Sequence, residues 1–193
     1  MADYCTVADV KALAGAESAG DDALLATLVA RASALVDTYT RRAFTATTTT
    51  RYYSPGEDTH GLTLFLDADL LSITTLTNGD GEEIASGDYA LLPLNTERRD
   101  RIKLKASSGL TWTYDADPEG ALSVAGTWGY STTPPADIVQ ATARLALWLY
   151  RQREAPFGKI GNTITGEYEI PVALPSDVKA ILNQYKKSVW GQA

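Results

Sequence analysis

The chain has 193 residues, with 24 Asp and Glu against 17 Lys and Arg for a formal net charge of -7, and 45% of its residues are hydrophobic. That balance is an ordinary globular one: it excludes wholesale disorder and a fibrous repeat, and the acidic charge disfavours sequence-scanning nucleic-acid binding. A single cysteine, Cys5, and a single histidine, His60, exclude an internal disulfide, a thiolate-clustered zinc site and any histidine-based triad within one chain.

The opening Met1-Ala2-Asp3-Tyr4-Cys5 lacks the basic start and apolar stretch of a secretory signal, so synthesis in the cytoplasm is expected. No apolar run reaches the roughly 20 residues of a membrane span. Thr6-Val7-Ala8-Asp9 then fits a capping box, predicting a short helix from Val7 to Leu13 that ends at Gly15. A second helix is predicted from Asp21 or Asp22, with Leu25, Leu28, Val29, Ala32, Leu35 or Val36, and Tyr39 at three-and-four spacing, to about Arg42.

From Thr45 to Tyr130 the pattern turns to short Thr-, Tyr-, Ile-, Leu- and Val-rich runs separated by Gly, Asp, Asn and Ser clusters. Strands are predicted at Leu62–Leu66, Ser72–Thr77, Tyr89–Leu92, Arg101–Lys105, Leu110–Tyr114 and Leu122–Trp128, with a turn at Asn78-Gly79-Asp80-Gly81. Pro134-Pro135-Ala136-Asp137 starts a third helix in the way proline permits, running to about Arg153. Its apolar residues cover most of its circumference, so it must be buried on most sides, by its own core or by a neighbouring subunit. Ala155 to Pro175 is a glycine- and proline-bearing linker in which Thr163–Thr165 and Tyr168–Ile170 are placed as a hairpin. Pro175-Ser176-Asp177 caps a last helix with Val178, Ile181, Leu182, Tyr185 and Val189.

The sequence specifies no reaction. It has no Walker loop, dinucleotide fingerprint or nucleophile elbow. Asp67-Ala68-Asp69 and Asp115-Ala116-Asp117 pair carboxylates at alternate positions, but such pairs are commonly turn formers, and the 78–83 stretch lacks the full ligand set of a calcium loop. Catalytic, cofactor and metal residues are therefore assigned to none. Charge is uneven: residues 1 to 40 hold six acids, whereas Arg98, Arg99, Arg101, Lys103 and Lys105 crowd together. Strand alternation puts Arg101, Lys103 and Lys105 on one face, opposite Ile102 and Leu104, as a candidate contact for a charged partner.

Three segments resemble one known family: Thr6-Val7-Ala8-Asp9-Val10-Lys11-Ala12-Leu13; Ala30 through Phe44; and Gly126-Thr127-Trp128-Gly129-Tyr130 leading through Pro134-Pro135-Ala136-Asp137-Ile138 into Leu145 through Arg153. Their order and spacing are similar to the head-to-tail connector (adaptor, head-completion) proteins of long-tailed double-stranded DNA phages. The long β segment departs from the smallest members. The resemblance implies an α+β fold, a helical core of about four helices (1–45 and 128–193) with a small antiparallel β insertion between helices two and three (46–127). It also implies a non-enzymatic virion protein of the neck, in a dodecameric ring beneath the portal that extends the DNA channel. DNA passes without sequence-specific binding, and the other face receives a stopper or tail-completion protein. No cofactor or membrane is implied.

Within that frame, Ile181, Tyr185, Val189 and Trp190 are expected to dock on the portal, because an apolar segment closed by a tryptophan resembles an anchor. Val139, Leu147 and Tyr150 of the third helix, with Ile160 and Ile164 of the linker, are expected at the subunit boundary. The runner-up readings are another virion part, a stopper or tail terminator, and a glycan- or protein-binding module displaying Tyr52, Tyr53, Tyr89, Trp112 and Tyr114.

Overall fold

The computed structural model describes residues 2–15, 20–152, 159–162, 166–169 and 174–187. The chain divides into two compact units, a helical one from residues 1–42 and 134–193 and a β one from residues 43–133.

Helix α1 (Val7–Ala14) begins with the expected box: the Asp9 amide donates to Thr6 Oγ1 at 3.2 Å and the Thr6 amide to Asp9 Oδ2 at 2.8 Å. These bonds satisfy two amides that a first turn leaves without helical partners. Helix α2 (Asp22–Thr40) buries Leu25, Val29, Ala32 and Val36 along one stripe. It stops at Arg41, whose left-handed φ of 56° lets its amide donate back to the Asp37 carbonyl at 2.7 Å. Upstream of α1, the Tyr4 amide donates to Ser33 Oγ and the Tyr4 hydroxyl to Asp37, pinning the N-terminal segment on α2. Helix α3 (Ala136–Gln152) packs against α1, α2 and α4 (Ser176–Tyr185). The helix that the sequence shows as apolar on most sides thus meets three helices of its own chain.

The β unit is one antiparallel sheet of β1 (Thr47–Tyr53), β2 (Thr59–His60), β3 (Thr63–Thr77), β4 (Tyr89–Leu92), β5 (Arg99–Leu104) and β6 (Leu122–Trp128). The order is β1-β6-β3-β5-β4, with β2 also on β3. Strand β3 runs 15 residues because its first half pairs with β2 and β5 and its second half with β6. The register shifts between Phe65 and Leu70, and extra residues there bend the strand. The two strands expected at Leu62–Leu66 and Ser72–Thr77 are therefore one bent strand. Leu64, Leu70, Leu76, Ile102, Leu104, Leu122 and Val124 form the core of this unit.

The Gly126 to Tyr130 segment closes the unit for steric reasons. A Cβ on Gly126 would stand 2.2 Å from the Ser72 carbonyl oxygen, and one on Gly129 (φ 146°) would stand 2.5 Å from that of Thr45. Between them Trp128 is buried and donates from Nε1 to the Thr49 carbonyl at 3.0 Å.

The expected fold class, a helical core carrying a small β insertion between helices two and three, is corrected on two points. Strands are not confined to that interval: β7 (Lys159–Asn162) and β8 (Gly166–Glu169) pair as a second sheet between α3 and α4. Nor is the six-stranded sheet a small appendage, because it has its own core and forms a compact unit of its own. The fold is α+β, with helices toward both ends of the chain and a self-contained antiparallel sheet between them. The bend in β3 is the physical reason, since it lets one strand serve two stretches of the sheet whose side chains build that core. Of the expected linker hairpin, Thr163–Thr165 lies outside the described residues. Leu110–Tyr114 is not a strand: it is held by the buried Asn78 side chain, which donates to the Thr111 carbonyl at 3.0 Å and accepts from the Thr113 amide at 3.2 Å.

Candidate functional site

In the helical unit, helix periodicity brings Val139, Leu147 and Tyr150 to one side of α3, the side along which α1 lies. Val139 borders an open groove of about 500 Å³ with Ala12 and Leu13 of α1 and Pro134, Ala136 and Ala143. Leu147 and Tyr150 line a smaller pocket of about 80 Å³ with Val10, Ala14 and Leu25. The Tyr150 hydroxyl donates to the Asp21 carboxylate, anchoring this end of α3 to the start of α2. All three residues are half-buried. Leu13, 44% exposed on the groove wall, escaped the sequence reading because Val10 and Leu13 at i and i+3 read equally as core. Of the linker candidates, Ile160 lies in β7 and Ile164 lies outside the described residues.

Helix α4 spends its buried face, Val178 and Leu182, inside the unit, and Ile181 sits half-buried at the margin of that face. Its C-terminal end is tied to that of α2: Arg42 Nε donates to the Tyr185 carbonyl at 2.6 Å, the Tyr39 hydroxyl to Asn183 Oδ1 at 2.7 Å and the Lys187 amide to the Thr40 carbonyl at 2.8 Å. The Tyr185 hydroxyl donates to Asp137 at 3.3 Å. The chain is therefore fixed in direction up to Lys187. Val189 and Trp190 lie outside the described residues.

In the β unit, Ile102 and Leu104 are fully buried while Lys103 and Lys105 are exposed and Arg101 is half-buried, so the alternation places the basic residues outward. Arg101 pairs with Asp100 at 2.9 Å, and Lys105 donates to the Gly87 carbonyl at 2.6 Å. The two carboxylate pairs differ. Asp67, at the bend of β3, accepts from the Tyr53 hydroxyl at 2.6 Å and pairs with Arg51, and both burial and this carboxylate push the Tyr53 phenol up. Asp115 and Asp117 are exposed in the 111–120 loop.

Charge divides by unit. The β unit carries 13 Asp and Glu against 6 Lys and Arg, a net of -7, whereas the helical unit balances 11 against 11. Of the five acids of residues 1 to 40 that are among the described residues, four have intrachain partners: Asp9 with Thr6, Asp21 with Tyr150, Asp22 with Lys11 and Asp37 with Tyr4. Burial, with Asp9 and Asp3 nearby, pushes the Cys5 thiol up to about 12, which keeps it protonated and unreactive. Among the described residues no group of three or more His, Cys, Asp or Glu is placed to hold a metal ion, and no helix is long and apolar enough to cross a membrane.

The fold recurs in solved structures. A chain in the neck of the native GTA particle, computed with C12 symmetry, superposes with a TM-score of 0.61 at 19% identity, covering 100% of this chain and 97% of that one. A chain in the neck of the empty particle, computed with C6 symmetry, gives 0.59 at 19% identity over the same shares. One in the virion of the native gene transfer agent particle gives 0.60 at 20% identity, covering 97% and 92%. Comparison with curated proteins finds no match. The head completion protein family model matches residues 3–188, and the chain belongs to that family.

Proposed function

We propose that this head completion protein performs its structural head-to-tail connector role as one member of a dodecameric ring in the virion neck, between the portal and a stopper or tail-completion protein. The observation that carries the reading is the full-length likeness to chains of neck assemblies computed with C12 and C6 symmetry. The role needs no catalysis. In this reading the ring extends the DNA channel, and a net negative chain suits a wall along which DNA passes without lasting phosphate contacts.

The groove bordered by Val139 and Leu13 is the helical unit's contact for a neighbouring subunit, with Leu147 and Tyr150 contributing from the separate pocket on the same side of α3 and Ile160 and Ile164 from the linker. Portal contact falls to Ile181, Tyr185, Val189 and Trp190. The tie between the ends of α2 and α4 supports this, because it fixes the direction in which the chain leaves α4 at Lys187. The outward Arg101, Lys103 and Lys105 form the charged-partner face. Deleting residues 186–193 tests the portal assignment: loss of portal binding with an intact helical signal is the expected result, and full binding by the truncated chain overturns it.

A further inference from the structure

We infer that the outer face of β4 and β5 docks on the 111–120 loop of a second copy of this chain, a contact between β units that rests on the ring reading above. The ladder sets Arg101 between Phe65 and Leu92, and Lys103 between Thr63 and Ala90. Directly opposed residues share a sheet face, so this face mixes two cations with two half-buried apolar side chains. Leu94, just past β4, is 67% exposed. Aromatic and aliphatic area beside an arginine suits an interface, with the lysine at its polar rim.

Lys103 singles the face out. Of the six cations in the β unit, Arg51 pairs with Asp67, Arg98 lies 4.0 Å over the Tyr130 ring, Arg99 reaches Thr96, Arg101 pairs with Asp100 and Lys105 binds a carbonyl. Lys103 is exposed, and its side chain makes no hydrogen bond or ion pair among the described residues.

The complementary surface is on the same unit. Residues 111–120 carry exposed Asp115, Asp117 and Glu119 beside Tyr114, which is 49% exposed, and hold no Lys or Arg. The loop is preformed: Asn78 holds its start through two hydrogen bonds, and the Gly120 amide donates to Ser54 Oγ at 3.0 Å. A preformed loop costs little entropy on docking. Because the two surfaces differ, each copy presents one to each neighbour. A contact of that kind is heterologous and closes into a ring when its rotation closes. A two-fold dimer through the basic face would instead oppose Lys103 to Lys103, and DNA phosphate is a poor occupant for one unpaired cation on a unit of net charge -7.

Charge reversal tests the pairing. Lys103→Glu, Asp117→Lys and the double variant are compared with the unaltered chain for ring assembly, by mass photometry and negative-stain microscopy with portal present, at low and high salt. Each single reversal is expected to lower the assembled fraction at least about tenfold at low salt, and the double to restore it. Rings unaffected by either reversal, or lost in the singles and not restored in the double, overturn this contact while leaving the ring reading intact. Absence of rings from the unaltered chain defeats the ring reading and this contact with it.

Discussion

The helical and β units solve the same problem with opposite means. The helical unit is electrically balanced, ties its acids to internal partners and leaves an open apolar groove. The β unit carries the whole net charge of -7 and is locally segregated, with Arg101 and Lys103 on one face of β5 and Asp115, Asp117 and Glu119 on the 111–120 loop. An apolar groove gives contact area with little salt dependence, whereas segregated charge gives orientation and speed of encounter at the cost of screening. In the proposed ring, shape and burial would come from the helices and direction from the sheet.

If each unit stands on its own core, a core lesion stays local. Leu145→Ala, at a fully buried site on α3, is expected to cost about 3 kcal/mol. Hydrogen exchange should rise in α1 through α4 while β3 and β6 stay protected, and an equal rise in both units breaks the comparison. Gly126→Ala probes the other side: its Cβ would clash with the Ser72 backbone, so a loss of about 3 kcal/mol is expected, with exchange confined to the sheet.

Smaller effects sharpen the comparison. Thr6→Ala removes the α1 cap and should cost about 1 kcal/mol in thermal unfolding. Hydrogen bonds from the Thr6 amide and hydroxyl hold the Asp9 carboxyl below its ordinary value. Its contribution is therefore present above the unfolded-state carboxylate pKa and is lost as pH falls through the folded-state value. The stability gap between the unaltered chain and Asp9→Asn should close in acid, and a gap that persists there contradicts the cap. The smallest signal is labelling of Cys5: at neutral pH a thiolate-directed reagent should react only as the helical unit opens, and rapid labelling of the folded chain contradicts its burial.

The helices were legible because their signals are local. Thr6 with Asp9, Gly15, and Pro134-Pro135 act within a turn or two of their own position, and the stripe of α2 repeats over 19 residues. In the sheet, Tyr89–Leu92 and Leu122–Trp128 were placed as found, but β1 and β2 were not anticipated and β3 was read as two strands. What joins it is non-local: the bend of β3 at Asp67 to Asp69 depends on Tyr53 and Arg51 reaching across from β1. The Leu110–Tyr114 stretch alternates like a strand yet is held by one side chain from Asn78, an arrangement with no periodicity to read. For the assembly surfaces, composition placed Arg101, Lys103 and Lys105 outward, but which cation lacks a partner is decided by residues distant in sequence.

The ring itself is the central claim. Its most direct test is negative-stain electron microscopy with mass photometry of the purified chain mixed with its cognate portal ring, compared with each alone. The account predicts a second ring stacked coaxially on the portal. Absence of association across salt and protein concentration contradicts it.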